Sequence, residues 1–274
     1  MADDLVVDPQ TALAVYAANP GYAKYARFVL AAFSAIPWVG SVLAAAVALH
    51  AENEQGRVNQ WTIKWLEDLE ASKKRLESTV ASMIGRMEEL GTQVDERLSD
   101  ESYLGLVRHG FRVWDDATTD EKRGFVRKTL TNAAGTKLCS DDIIRMFLQW
   151  IEQYNELHFR VIRIVYKNPY STRGDIWAEL YEGEPVREDS AEADLFKLIV
   201  ADLSFGHVIR QHRPTTADGR FLAAPRSSSR GRRSPTMKSA FDDDKPYVMT
   251  ELGNQFVHYA MEELAQQLSP GEPA

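Results

Sequence analysis

Six histidines are the first places to look for proton transfer or metal binding: His50, His109, His158, His207, His212 and His258. None forms a helical metal-ligand pair with a second histidine or with the one cysteine. His207 and His212 lie five apart in a stretch that reads as a strand, where alternation puts them on opposite faces. A cysteine acts as a nucleophile when a base or cation lowers its pKa; no such residue adjoins Cys139, which reads as a packed residue. The run Asp242-Asp243-Asp244 could collect a divalent cation, or could be a solvated acidic loop. Ala134-Gly135-Thr136-Lys137 lacks the leading glycine and the Gly-Lys-Ser/Thr ending of a phosphate loop, and reads as an inter-helix turn. There is no Gly-x-Ser-x-Gly elbow, no His-Glu-x-x-His and no Cys-x-x-Cys. The expectation is a protein without catalytic residues, metal or cofactor.

Phosphate binding is the one chemistry the composition favours locally. Arg210, Arg213, Arg220, Arg226, Arg230, Arg232, Arg233 and Lys238 fall in a loop with Asp218 as the one acid among them. Its centre, Arg226 to Pro235, is low in complexity. Arginines there could contact phosphate or a minor groove, with Lys197 on the preceding helix reaching a major groove. Against this, that helix opens with Glu192 and Asp194, and the chain carries a net charge of −8, which disfavours general coating of nucleic acid.

The elements that would position these residues are mostly helices. Phe28 to Leu49 contains no charged residue and could cover about 33 Å as one helix, against a bilayer core of ~30 Å. Pro37 and Gly40 interrupt it, so it reads as two short apolar helices joined at Ile36-Pro37-Trp38-Val39-Gly40, with Ser41 as a cap for the second. Three readings stand open: a hairpin buried in a helical domain, a membrane-active hairpin, and a single spanning helix. In the second, Phe28, Phe33, Ile36, Pro37, Trp38 and Val42 meet the membrane or a hydrophobic partner. The polar, acidic first twenty-odd residues do not read as a signal peptide.

From Gln60 to Leu98 the pattern is a heptad. Leu69, Leu76, Met83 and Leu90 form one seam; Leu66, Lys73, Val80, Met87 and Val94 form the other. This predicts a long helix that either packs on its own chain or joins copies through residues 60–98. Next come a helix over Tyr103–Trp114, one capped by Thr118 with Glu121 and ending near Gly135, and one from Ser140 to Asn168. Past Pro169 the order becomes helix, helix with Leu195, Leu198, Ile199 and Leu203 on one face, strand, long loop, strand and helix. Thr172 with Asp175 and Thr250-Glu251-Leu252-Gly253 open the first and last helices.

The expected fold is mainly α: an apolar helical hairpin, a long heptad helix, a helical bundle, and a C-terminal winged helix-turn-helix with a small β-hairpin. The corresponding segments are 1–20, 21–56, 57–99, 100–168 and 169–266, with a basic loop at 210–238 and a tail at 267–274. One cysteine cannot form an internal disulfide and fits a reducing compartment, so the expected location is the cytoplasm or its membrane face.

The layout, with Ile36-Pro37-Trp38-Val39-Gly40 and Thr119-Asp120-Glu121-Lys122-Arg123, resembles bacterial and phage-associated proteins of the abortive-infection alpha type; the arginine-rich wing departs from it. The resemblance implies a non-enzymatic effector or accessory in anti-phage defence. The alternatives are a winged-helix DNA-binding regulator, using Lys197, Arg210, Arg213, Arg230, Arg232 and Arg233, and a structural scaffold binding an unknown protein.

Overall fold

The computed structural model describes residues 23–39, 60–91, 93–183, 187–213, 216, 218, 220, 222, 241 and 245–262, with the backbone alone for 23, 60–66 and 93. The described residues are mainly helical, with one two-stranded antiparallel sheet. They fall into two compact units. The first comprises the described residues up to Gln153 and those of 258–262, the second the described residues of 154–257.

The first unit opens with a short 3-10 turn (Ala23–Tyr25) and helix α1 (Ala26–Ser34). A residue before proline is driven out of the helical region, so the chain leaves the helix at Ala35–Ile36 and restarts at Pro37. The break excludes one continuous spanning helix from 28 to 49. Among the described residues no helix is long and apolar enough to cross a membrane. Helix α1 buries Phe28, Val29, Ala31, Ala32 and Phe33, and it packs on α4 (Glu101–Asp116). There Phe28 meets Phe111 edge to face, 6.3 Å between ring centroids.

The expected heptad helix over 60–98 is a long helix, α2 (Gln60–Leu90), that ends eight residues early and leaves Val94 of the second seam on the next helix. It stops because Gly91 takes φ +83°, the left-handed C-terminal conformation that glycine adopts without penalty. Short α3 (Gln93–Leu98) follows. Asp100 then caps α4 by accepting from the Ser102 amide at 3.0 Å. Helix α5 (Asp120–Gly135) is capped by Thr119, whose hydroxyl accepts from the Lys122 amide. The cap is one residue beyond the Thr118 expected from the Thr-x-x-Glu spacing. Helix α6 (Asp141–Gln153) completes the bundle.

The core holds Leu104, Val107 and Phe111 of α4, Phe125, Val126 and Leu130 of α5, and Ile144, Phe147, Leu148 and Ile151 of α6. The returning segment His258–Met261 is pinned to it. The Asn132 side-chain amide donates to the Tyr259 carbonyl at 2.9 Å, and Tyr259 stacks obliquely on Phe147.

The expected helix from Ser140 to Asn168 is two helices. Asn155 caps α7 (Glu156–Lys167) by accepting from the Leu157 and His158 amides, and the His158 ring closes a capping box. Helix α7 packs with α8 (Arg173–Leu180), α9 (Ala191–Phe205) and strand β2 (Tyr247–Met249). It therefore belongs to the second unit, which begins at Tyr154. Thr172 and Asp175 form the expected capping box of α8. Strand β1 (Ile209–Gln211) pairs with β2 in the register Ile209↔Met249 and Gln211↔Tyr247. Thr250 caps α10 (Glu251–Phe256). Trp177, Phe196 and Phe241 form an aromatic cluster with centroids 5.2–5.5 Å apart.

Candidate recognition surface

Helix α9 stands second in the helix, helix, strand, strand, helix order, and it has an apolar surplus. Ser190 caps it through the Ala193 amide, and Ala193, Phe196, Ile199, Val200 and Leu203 are buried. Those five already fill the inward stripe of a four-turn helix. Leu195 and Leu198 lie on the other side, 42 % and 55 % exposed, and Phe205 is 90 % exposed. The expectation that Leu195 and Leu198 share a face with Ile199 and Leu203 is therefore corrected. At 100° per residue, positions 191, 195, 198, 202 and 205 recur with alternating four- and three-residue spacing and form one outward stripe. They are Ala191, Leu195, Leu198, Asp202 and Phe205.

Acids surround that stripe. Glu192, Asp194 and Asp202 are exposed on the same helix. Its one base, Lys197, is held by its own neighbours, 3.2 Å from both the Asp194 carboxylate and the Glu188 carbonyl. Asp202 also stands 3.5 Å from the His158 Nε2, and His158 stacks flat on Tyr154 at 4.8 Å. The outward stripe is therefore apolar and negative, the reverse of a surface suited to phosphate.

The other expected site residues are dispersed. Arg210 is exposed on β1, and Arg213 is exposed just past it. Arg230, Arg232, Arg233 and the Asp242–Asp244 run lie outside the described residues, as does Val42. Phe28, Phe33 and Ile36, expected at a membrane, are 0 %, 6 % and 2 % exposed, because they line the core between α1 and the rest of the first unit. Pro37 is exposed. The Trp38 Nε1 donates to Asp115 at 2.7 Å, which directs its polar edge to α4 rather than to lipid headgroups.

Of the heptad seam, Leu76 and Met83 are fully buried, and α2 packs on α5 of the same chain. A seam between copies built on those two is spent within the fold. Leu69 and Leu90 are half-buried. Among the described residues no group of three or more His, Cys, Asp or Glu is placed to hold a metal ion.

No family model matches the chain, and no curated protein or solved structure does either.

Proposed function

We propose that this protein is a non-enzymatic recognition protein whose second unit serves as a winged-helix-like module for binding another protein. The order α8, α9, β1, β2, α10, with capped starts at Thr172, Ser190 and Thr250, supports the winged-helix reading. The observation that carries the choice of partner is the outward stripe of α9. Leu195, Leu198 and Phe205, at coiled-coil-like spacing, suit the apolar face of a partner helix. The acids beside them suit a partner whose flanks are cationic, since complementary charge steers encounter and excludes wrong partners. The layout resemblance to abortive-infection alpha-type proteins is in keeping with such an effector.

The test is capture of partners by the full chain, before and after nuclease treatment, against a Leu198→Glu/Phe205→Ser variant. Both positions are exposed, so the variant should keep its fold. A protein retained after nuclease by the parent and lost by the variant supports the reading. Duplex DNA bound equally by both, and released when Arg230, Arg232 and Arg233 become alanine, replaces it with the DNA-regulator reading.

A further inference from the structure

On the first unit, α2 and α5 run side by side and leave two adjoining clefts of about 550 and 540 Å³ between them. Arg127 lines both, so they are two parts of one groove. Its walls carry Lys74, Arg75, Arg86, Arg123, Arg127 and Lys128. Lys74 and Arg86 are twelve residues apart on α2, about 18 Å along a helix. Two acids line the same groove, Asp120 at 2.9 Å from Arg123 and Glu89 against Arg86. Lys74 also pairs with Glu70 at 3.3 Å, beside the groove. Arg75 donates to the Ser72 hydroxyl and Lys128 to the Met261 carbonyl, and one of the contacts of Arg127 is the Ser82 hydroxyl. A chain of net charge −8 thus lines one groove with six cationic side chains against two carboxylates.

Two further observations point to a ligand. The Trp114 indole lines the groove and is 4 % exposed, yet its Nε1–H has no acceptor among the described residues. An indole nitrogen can only donate, and a buried donor left unmade is costly. An anionic oxygen in the groove would satisfy it, and Arg123 already stands 5.7 Å from the same ring. The second observation is Gly85 and Gly124, which line the groove on α2 and α5. Glycine is a poor helix residue, and a methyl group at either position would meet nothing within 4 Å. Both glycines leave the helix backbone open to the groove.

We propose that the α2–α5 groove binds a linear oligophosphate, with Arg75, Arg123 and Arg127 on successive phosphates and the Trp114 Nε1–H on one oxygen. Guanidinium groups suit that geometry because they pair bidentately with phosphate oxygens.

The experiment is calorimetric titration of the full chain at low salt with inorganic tripolyphosphate, with orthophosphate, with a nucleoside triphosphate, and with vesicles containing a polyphosphorylated lipid. Tripolyphosphate should bind at least tenfold more tightly than orthophosphate. Arg75→Gln with Arg127→Gln should weaken it at least tenfold. Gly124→Leu, which fills the groove where no atom stands, should do the same with a melting temperature no lower than the parent's. Trp114→Phe should weaken it several-fold. A tighter nucleotide or vesicle arm would identify the source of the same phosphates and supports the site. No tripolyphosphate binding at millimolar concentration overturns the proposal. So does binding that survives these variants and disappears when Arg230, Arg232 and Arg233 become alanine, since the ligand then sits on the arginine-rich loop.

Discussion

Arg97 on α3 grips the Asp141 carboxylate at the start of α6 with both terminal nitrogens, Nη1 to Oδ2 at 3.2 Å and Nη2 to Oδ1. The same guanidinium reaches Asp100 at 2.7 Å and the Ala133 carbonyl at 3.3 Å, and it lies over the Tyr103 ring. One buried side chain therefore ties α3, α4, α5 and α6 together. Asp141→Asn keeps the shape but removes one charge, leaving Arg97 with Asp100. That change should cost about 1.5–3 kcal/mol, the range for hydrogen bonds to charged groups. Arg97→Ala removes the hub and should cost about 3–5 kcal/mol. Urea unfolding midpoints measure both.

The same pair sets an acid limit. Burial alone would raise the Asp141 carboxyl, but hydrogen bonds from Arg97 and Ser102 outweigh it and hold the group below the ordinary value of 3.8. A carboxyl lowered in the fold contributes stability above its unfolded pKa and loses it as pH falls through the folded one. The stability gap between the parent and Asp141→Asn should therefore be constant above about pH 5 and shrink below about pH 4. A gap that does not change down to pH 3 would show that the pair contributes no pH-linked stability.

Around neutrality the sign falls on a histidine. Burial lowers the His109 pKa, and Arg145 and Arg112 lower it further, with Glu152 opposing them. The folded protein then binds fewer protons than the unfolded chain, so stability is complete above the unfolded value of about 6.5 and is lost as pH falls. Replacing His109 with Gln should flatten the melting temperature between pH 7 and pH 5 relative to the parent. Parallel curves would assign that pH dependence to other groups.

What could be read from sequence was what is encoded locally. Thr172 with Asp175, Thr250 opening α10, and the stops at Gly135 and Asn168 all depend on residues within one turn, and each stands where the spacing placed it. The break at Tyr154–Asn155 was hidden because the apolar residues of α6 and α7 continue one periodic pattern, and His158 is an unusual partner for a capping box. The outward side of α9 was hidden for the opposite reason. A helix with leucines on both of its sides gives no clue to which of them face the core. The cations of the α2–α5 groove come from two helices distant in sequence, and only tertiary packing brings them together.

Gly253 marks the limit of a motif read as a pattern. Thr250-Glu251-Leu252-Gly253 was legible as a helix start, but the reason for its glycine lies in the fold. The Val208 carbonyl accepts from the Thr250 amide at 3.0 Å, and a Cβ at position 253 would collide with that carbonyl. Gly253→Ala should force strand β1 and α10 apart and cost about 1–3 kcal/mol or more, as overpacking does. Thermal unfolding decides it, with Gly124→Ala as the contrasting glycine, where space is open and stability should rise by up to about 1 kcal/mol.

The apolar hairpin makes a similar test of burial against exposure. With Phe28 fully buried on Phe111, Phe28→Ala should destabilise the first unit by about 3–5 kcal/mol. Trp38→Phe loses the hydrogen bond to Asp115 and should cost about 1 kcal/mol. Both are read by denaturant unfolding. If Phe28→Ala left stability unchanged and abolished flotation with liposomes instead, the residue would belong to a membrane contact.

Leu76 and Met83 bring the same logic to the long helix. Both are buried between α2 and the bundle, while Leu69, nearer the start of α2, is half-buried and has exposed Asp68 and Glu70 beside it. Truncating Leu76 or Met83 to alanine should therefore cost about 2–5 kcal/mol each and leave the sedimentation coefficient of the folded protein unaltered. If copies associate through α2, the contact must use the stretch around Leu69, because a seam buried in the monomer can join a partner only by opening the fold. Leu69→Glu should then dissociate any oligomer at little cost to unfolding free energy. Dissociation by Met83→Ala, with the monomer still folded, would return the heptad seam to an interface between copies.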